Sequence, residues 1–265
     1  MKKLFVIGNP IQHSLSPILH NYWIKKNNID AKYDKKLVET KNELKFIINE
    51  IRSENIYGVN VTVPYKQDII HLLDDLSPES LKTKSVNTIF KRKDKILGHN
   101  TDIAGFELAL RHAKFDCKEK KALIIGAGGV VPSIVYALKN LNFSEISIMN
   151  RTIGKAEKIK EIFNDLKILE WGKVEETDIV INATSLGLYK NDKIDINFEG
   201  IGEKKFFYDV IYNPKKTDFL ERAEKKLHLI ENGLMMFIYQ AHQSFAIWHD
   251  IMPKIDDDVL KNIAK

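Results

Sequence analysis

One junction constrains this chain more than any other feature. Residues 121–125 (KALII) form a short apolar run, and Gly126-Ala127-Gly128-Gly129 follow with no spacer. Residues 132–141 then carry helical spacing. A buried strand that runs into a glycine turn and then a helix is the context of a dinucleotide-binding unit. Glycines let the backbone turn tightly and approach a pyrophosphate. The helix N-terminus adds free N–H groups and the positive end of its dipole. A plain tight turn is the competing reading. The third small residue of the usual pattern falls at Val131. That departure is expected to affect how the helix sits under a pyrophosphate, and so cofactor affinity.

Strands and helices alternate along the rest of the chain. Strands are expected over 3–7, 31–38, 57–63, 145–149, 178–182, 206–210 and 227–230, with a hairpin from 86–90 and 95–99. Helices are expected over 15–26, 41–54, 68–73, 77–82, 102–113, 155–165, 217–226, 233–249 and 256–264. Such alternation predicts an α/β fold with parallel sheets covered on both faces. The 265 residues allow two modest domains. The boundary is expected near residue 100, giving domains 1–100 and 101–235. The last helices, from about 236 to 265, are expected to pack back onto the first.

Composition narrows the function classes. With 44% hydrophobic and 29% charged residues the chain reads as globular and soluble. The charge of +5 is a mild excess with no basic stripe, so no nucleic-acid partner is expected. The single Cys117 excludes an internal disulfide framework and a multi-cysteine metal site, and no metal is expected. No apolar run reaches the ~18 residues of a membrane span. The opening MKKLFVIGNP is too short in its apolar part for a secretory signal. A cytoplasmic protein is the expectation.

The strand after the glycine loop ends in Asn150-Arg151-Thr152, with Lys155 close behind. NAD enzymes place an acidic residue there for the ribose 2′-OH. A guanidinium in that position instead suits a 2′-phosphate. This favours NADP over NAD; a surface charge is the alternative for Arg151.

Four polar clusters stand at strand ends or loops of the first half. They are Ser14-Leu15-Ser16-Pro17, Asn60-Val61-Thr62-Val63-Pro64-Tyr65-Lys66, Val86-Asn87-Thr88 and Asn100-Thr101-Asp102. Open α/β sheets bind ligands at the carboxyl ends of their strands. Hydroxyls and amides suit a hydroxylated, anionic substrate, and a Lys–Asp pair suits proton transfer to a carbonyl. Each cluster also has a structural reading. Ser14 or Ser16 caps a helix, Asn60 and Thr62 satisfy a turn, Asp102 caps its own helix, and Lys66 is a solvated lysine.

In order along the chain, the motifs GNPIQHSLSP, NVTVPYK, VNT, NTDIAG, GAGG, NRT, NATSLG, YDVIYNP and GLMMFIYQA together resemble the shikimate dehydrogenase family. The resemblance runs over nearly the whole chain. It implies an N-terminal α/β substrate domain and a C-terminal Rossmann-type NADP-binding domain, with a cleft between them. It implies NADPH-dependent reduction of 3-dehydroshikimate to shikimate, on the route to chorismate and the aromatic amino acids. By motif, Lys66 and Asp102 would be the catalytic pair. Ser14 and Ser16, helped by Tyr212, would hold the substrate carboxylate. Asn60, Thr62, Asn87 and Gln240 would bind ring hydroxyls or shape that pocket. Gly126, Ala127, Gly128 and Gly129 would hold the pyrophosphate, and Asn150, Arg151, Thr152 and Lys155 the 2′-phosphate end. Thr184, Gly233 and Met236 would lie along the ribose and nicotinamide. The family includes monomers and homodimers. Two alternatives stand beside this reading: a quinate/shikimate dehydrogenase with broader substrate or NAD use, and a non-catalytic nucleotide-binding regulator.

Overall fold

The computed structural model describes residues 1–189 and 191–263. The chain divides into two compact units, Met1–Asp102 with Gln240–Lys265, and Ile103–Tyr239.

The first unit is built on a six-stranded sheet. Its strands are β1 (Lys2–Gly8), β2 (Ala31–Leu37), β3 (Gly58–Val61), β4 (Asp75–Leu76), β5 (Thr88–Arg92) and β6 (Lys95–His99), in the order β2-β1-β3-β5-β6-β4. Alternation of strands and helices predicts parallel sheets, but this one is mixed. β1 runs parallel to β2 and β3, while β5 is antiparallel to both β3 and β6. The physical reason is the two-residue turn Lys93-Asp94, with Lys93 at φ 54°. A connection that short can join only antiparallel neighbours.

Period-two alternation then assigns chemistry to the two faces. Val59 and Val61 of β3 join a core with Ile7, Ile89 and the α2 residues Leu44, Ile47, Ile48 and Ile51. Helix α2 (Lys41–Arg52) supplies these from one face, and Thr40 caps it by accepting from the Glu43 N–H. Asn60 therefore points to the other face. That face carries α1 (Ser16–Lys26), and the part of α8 (Leu234–His249) that lies in this unit reaches it through hydrogen bonds from Asn60 and Trp248. His20 and Trp23 of α1, Tyr33 of β2 and Phe245 and Trp248 of α8 form a buried aromatic cluster. Helix α9 (Asp257–Ile263) is tied on by Tyr22 donating to Asp256 at 3.0 Å and Trp23 donating to the Lys254 carbonyl at 3.0 Å. The expected helix end at Ala264 lies outside the described residues.

The second unit is an all-parallel sheet in the order β12-β11-β10-β7-β8-β9. Its strands are β7 (Lys121–Ile125), β8 (Glu145–Met149), β9 (Lys167–Leu169), β10 (Ile179–Asn182), β11 (Phe206–Asp209) and β12 (Leu229–Asn232). The central strands are buried along almost their whole length, as strands covered on both faces must be. Helices α5 (Val131–Asn140), α6 (Ile153–Lys160) and α7 (Asp218–Lys225) connect them. The reversal of strand order between β7 and β10 opens the topological switch point, where such sheets bind ligands. Strands β4 and β9, of two and three residues, are too short for a periodic signal in the sequence. The remaining helices, α3 (Pro78–Thr83) and α4 (Asp102–His112), lie where their spacing predicts.

Candidate active site

In the first unit three separate motifs are stitched into one network. The Lys66 carbonyl accepts from the Val86 N–H at 2.9 Å, which holds the β3 loop against the start of β5. Asn87 N donates to the His99 carbonyl at 3.0 Å, and Thr101 N donates to the Asn87 side-chain oxygen at 2.8 Å. These contacts bring Lys66 Nζ to 2.6 Å from Asp102 Oδ2, with side-chain exposures of only 10% and 7%. Asn87 Nδ2 donates to the other carboxylate oxygen at 2.9 Å. Lys66 is thus no solvated lysine. Nor is Asp102 spent as a helix cap: its own N–H is met by the Asn100 side chain at 3.1 Å, and its carboxylate faces Lys66 and Asn87. Stranding one member of a buried pair costs about 3–5 kcal/mol, so the fold keeps both or neither.

Beneath the pair lies a hydroxyl and amide cluster. Asn60 Nδ2 reaches the Asn87 carbonyl, Thr88 Oγ1 and Ser244 Oγ at 3.0, 3.1 and 3.0 Å, and its oxygen accepts from Tyr33 at 2.7 Å. Asn60 is therefore used up inside the structure; it shapes the site. Ser244 also bonds Thr88 and Thr101, at 2.8 and 3.1 Å, and donates to the Gln240 carbonyl at 3.0 Å. Tyr33 and Ser244 stand in none of the polar clusters of the sequence, and Thr88 and Thr101 stand in two of them without a role of their own. Their signal is weak because hydroxyl residues are common, and only the fold brings residue 244 to residue 60. Burial pushes the Tyr33 phenol up, opposed by its hydrogen bond with Ser16, so it stays a neutral donor.

Ser14 and Ser16 lie at the start of α1. The Ser14 hydroxyl donates to Ser16 Oγ at 3.2 Å and accepts the Ser16 N–H at 3.3 Å. Ser14 thus covers one helix N–H, yet no side chain caps the helix at its N-cap residue, Leu15. Thr62, half-buried, follows β3 with its N–H on the Ile7 carbonyl at 2.9 Å. Gln240 is half-buried on α8.

In the second unit the loop after β7 is shaped by backbone. Gly126 sits at φ +114°, and a Cβ there would stand 2.9 Å from the Ala183 carbonyl oxygen. Only glycine fits. Its N–H donates to the Met149 carbonyl at 2.8 Å. Ala127, Gly128 and Gly129 lead into α5, which begins at Val131, has no side-chain cap at Val130 and has no acidic residue in its first turn. The Val131 and Ser133 N–H groups already donate to the Gly128 and Val130 carbonyls, each at 3.0 Å, and Pro132 has none, so the helix start offers an anion chiefly the positive end of its dipole. Val131 is fully buried, so its bulk goes into the helix–sheet core.

At the end of β8, Asn150 turns its amide onto the Thr152 carbonyl at 2.7 Å, while Arg151, Thr152 and Lys155 are exposed. Among the described residues neither Arg151 nor Lys155 is in an ion pair, so both cations are available to a phosphate. Thr184 follows β10 with its N–H and hydroxyl on Asn182 Oδ1, at 3.0 and 2.7 Å. Gly233 joins β12 to α8, and a Cβ there would lie 2.1 Å from the Val210 carbonyl oxygen. Met236 is buried, and Tyr212, half-buried, stacks on Phe237 with centroids 4.6 Å apart.

Comparison with known proteins places this arrangement. Residues 6–89 match the model of the shikimate dehydrogenase substrate binding domain, and residues 107–214 that of shikimate / quinate 5-dehydrogenase. A protein of Pelagibacter ubique named shikimate dehydrogenase (NADP(+)) is 52% identical over 98% of both chains. The chain belongs to the shikimate dehydrogenase family. A second member, from Caldicellulosiruptor bescii, is 42% identical over 95% of this chain and 91% of its own. Among solved members, shikimate 5-dehydrogenase of Thermus thermophilus in complex with NADP(H) and shikimate superposes with a TM-score of 0.89. It is 30% identical, with 100% of this chain and 98% of that one covered. The Listeria monocytogenes enzyme, in complex with shikimate and NAD, gives 0.90 at 31% identity, with 100% and 96% covered. The family's two-domain α/β fold is the fold of this chain. No helix among the described residues is long and apolar enough to cross a membrane.

Proposed function

We propose that this chain is a cytoplasmic NADP-dependent shikimate dehydrogenase that interconverts 3-dehydroshikimate and shikimate on the route to chorismate and the aromatic amino acids. The observation that carries the reading is the buried Lys66–Asp102 pair at 2.6 Å, in a chain of this family. Residues 1–100 with the last helices form the substrate domain, and 101–235 the cofactor domain. Reduced NADP supplies a hydride when bound. Lys66 would give a proton to the substrate's carbonyl oxygen, and Asp102 would orient the ammonium and share that proton. Asn87 holds the second oxygen of Asp102 and faces the ring hydroxyls with Thr62 and Gln240. Ser14 and Ser16, with Tyr212, take the substrate carboxylate.

On the cofactor side the loop 126–129 and the uncapped start of α5 fit a pyrophosphate. Arg151 and Lys155, with Asn150 and Thr152, fit the 2′-phosphate. Thr184, Gly233 and Met236 line the ribose and nicotinamide end.

Initial rates of nucleotide reduction test the whole reading, with shikimate or quinate as substrate and NADP or NAD as oxidant. A strong signal for shikimate with NADP alone supports it. Comparable rates with quinate or NAD make this a broader quinate/shikimate enzyme. Folded protein that binds NADP without turnover in any combination would sink the assignment.

A further inference from the structure

Asp209 has no part in the function derived above, yet it is the most heavily engaged buried carboxylate of the second unit. It ends β11 and is fully inaccessible. Thr217 Oγ1 donates to its Oδ2 at 2.6 Å, and Ile211 N and Asn182 Nδ2 donate to its Oδ1, each at 3.0 Å. No cation faces it. Tyr208 of the same strand is its titratable neighbour: burial pushes the phenol up, and the charges of Glu231 on β12 and of Asp209 add to the rise. α7 brings the hydroxyl of its cap residue, Thr217, and β10 brings Asn182.

The Asn182 contact has a consequence for a residue 25 positions away. An asparagine amide has a donor end and an acceptor end, and nothing in its shape distinguishes them. Asp209 distinguishes them by charge, because a carboxylate accepts only from the NH2 end. With Nδ2 drawn to Asp209 and to the Leu186 carbonyl, at 3.0 and 3.1 Å, Oδ1 is turned to Thr184. There it accepts both the Thr184 N–H and the Thr184 hydroxyl. The Thr184 hydroxyl oxygen in turn accepts the Leu186 N–H at 3.0 Å. This closes the turn after β10. The same turn presents the Ala183 carbonyl and the Thr184 methyl to Gly126, each 2.9 Å from where a Cβ would be. The shape of the glycine loop and the place of Thr184 thus depend on one amide's orientation.

We propose that Asp209 is a positioning residue for the cofactor: through Asn182 it sets the turn that carries Thr184 and backs the Gly126 loop. This rests on the assignment of that loop and of Thr184 to NADP. Burial pushes the Asp209 carboxyl up to about 6, against the pull of its three donors. At neutral pH it is still an anion and an acceptor at both oxygens.

The experiment compares Asp209→Leu, Asp209→Asn and Thr217→Ser with the unaltered chain and with Gly126→Val. It reads NADP dissociation constants by titration calorimetry, KM for NADP, KM for shikimate at saturating NADP, kcat and Tm. Asp209→Leu removes the acceptor that holds Asn182 Nδ2, so the amide is free to turn and Thr184 is released. The expected result is a rise of about tenfold in Kd and KM for NADP, the size of one hydrogen bond to a charged group. KM for shikimate should stay within about twofold. Asp209→Asn keeps an oxygen for the Ile211 N–H and Asn182 Nδ2 and turns its NH2 to the Thr217 hydroxyl, so it should leave NADP affinity near normal. Thr217→Ser keeps the donor and the cap and should do the same. An unchanged NADP affinity in Asp209→Leu with only a lower Tm makes Asp209 a structural residue and overturns the proposal. So does an equal rise in both KM values. If Asp209→Leu does not fold, Asn182→Ala carries the test: it removes the amide that links Asp209 to Thr184 and should weaken NADP binding in the same direction, and unaltered affinity again overturns the proposal. Gly126→Val separates the two levels. If it leaves NADP affinity intact, the loop assignment itself has failed; if it abolishes binding while Asp209→Leu does not weaken it, only the role of Asp209 has.

Discussion

The two units build their binding residues from different materials. In the first, side chains do the work: Lys66, Asp102, Asn87, Asn60 and Ser244 interlock through charges and amides, almost all buried. In the second, backbone does most of it, through a glycine turn at φ +114°, an uncapped helix start and a turn held by Asn182. The charged groups proposed there for the ligand, Arg151 and Lys155, are exposed. The difference follows from the ligands proposed. A hydroxylated ring with a reacting carbonyl needs protons placed at particular atoms. A pyrophosphate needs N–H groups and room, and any residue that leaves room will serve.

Breaking the first unit's network should therefore have the larger effect on chemistry. Lys66→Ala is expected to lower kcat by about 100- to 10,000-fold, the range for a positioned general acid. NADP affinity, read by calorimetry, should hardly change. Because the variant strands the buried Asp102, Tm is checked alongside, and Lys66→Ala/Asp102→Ala removes the stranded charge without restoring turnover. Turnover near the unaltered level in Lys66→Ala would remove the pair from the chemistry.

Gly126→Val attacks the second unit's backbone instead. The new side chain meets the Ala183 carbonyl, which cannot swing away, at a φ that L residues avoid. Strain of about 1–3 kcal/mol should appear as a loss of about 5- to 100-fold in NADP affinity. The Lys66–Asp102 pair, in the other unit, should be untouched. A variant that binds NADP normally would show that the turn is only a turn.

Arg151→Ala sharpens the same side. The guanidinium is exposed and in no ion pair among the described residues. Its loss should cost about tenfold in NADP affinity, the low end for a hydrogen bond to a charged group, and leave NAD affinity alone. Equal losses for the two nucleotides would assign Arg151 to the pyrophosphate or to general electrostatics.

The same contrast governs how much could be read from the sequence. The cofactor side was legible because its signal is local: strand 121–125, four consecutive glycine-loop residues and the NRT cluster lie within about 32 positions. The parallel sheet around it followed from strand–helix alternation. The first sheet's mixed character hinges on a two-residue turn, and the hairpin was readable while its effect on the sheet was not. The pair Lys66 and Asp102 could be picked out through motifs. Their isolation from solvent could not, since it depends on Val86 gripping the Lys66 carbonyl and on Asn100 freeing Asp102 from capping. Ser244 and Tyr33 were invisible: each meets Asn60 from far along the chain, with no spacing to announce it. Asp209 was quoted only as a letter in YDVIYNP, because a buried carboxylate without a cation has no sequence signature.

A last difference between the units is their expected response to acid. In the first unit His20 is buried against Tyr33, with ring centroids 4.2 Å apart and planes nearly parallel. Among the described residues neither ring nitrogen has a hydrogen-bond partner. Burial, with His249 adding repulsion, lowers its pKa from 6.5 to about 3. His249, lowered by burial to about 4, acts in the same direction. Both are neutral in the fold and take up a proton readily only when unfolded. Their stability contribution is therefore complete above about pH 6.5 and is lost as pH falls toward 4 and 3. For the fully buried His20 the loss is about 1.4 kcal/mol per pH unit in that window, and the half-buried His249, screened by solvent, adds less. Urea unfolding of the unaltered chain at about pH 7 and pH 5 should differ by about 2 kcal/mol for His20 alone. His20→Phe keeps a ring stacked on Tyr33 and cannot titrate, so its stability should fall less steeply over the same range, while kcat at neutral pH stays within about twofold. Asp209 in the second unit works the other way: its carboxyl is raised to about 6, so protonation on acidification relieves a buried charge. Acid should thus loosen the unit that holds His20 and His249 first. Equal pH slopes for the unaltered chain and His20→Phe would show that the buried imidazole is not what makes the first unit acid-sensitive.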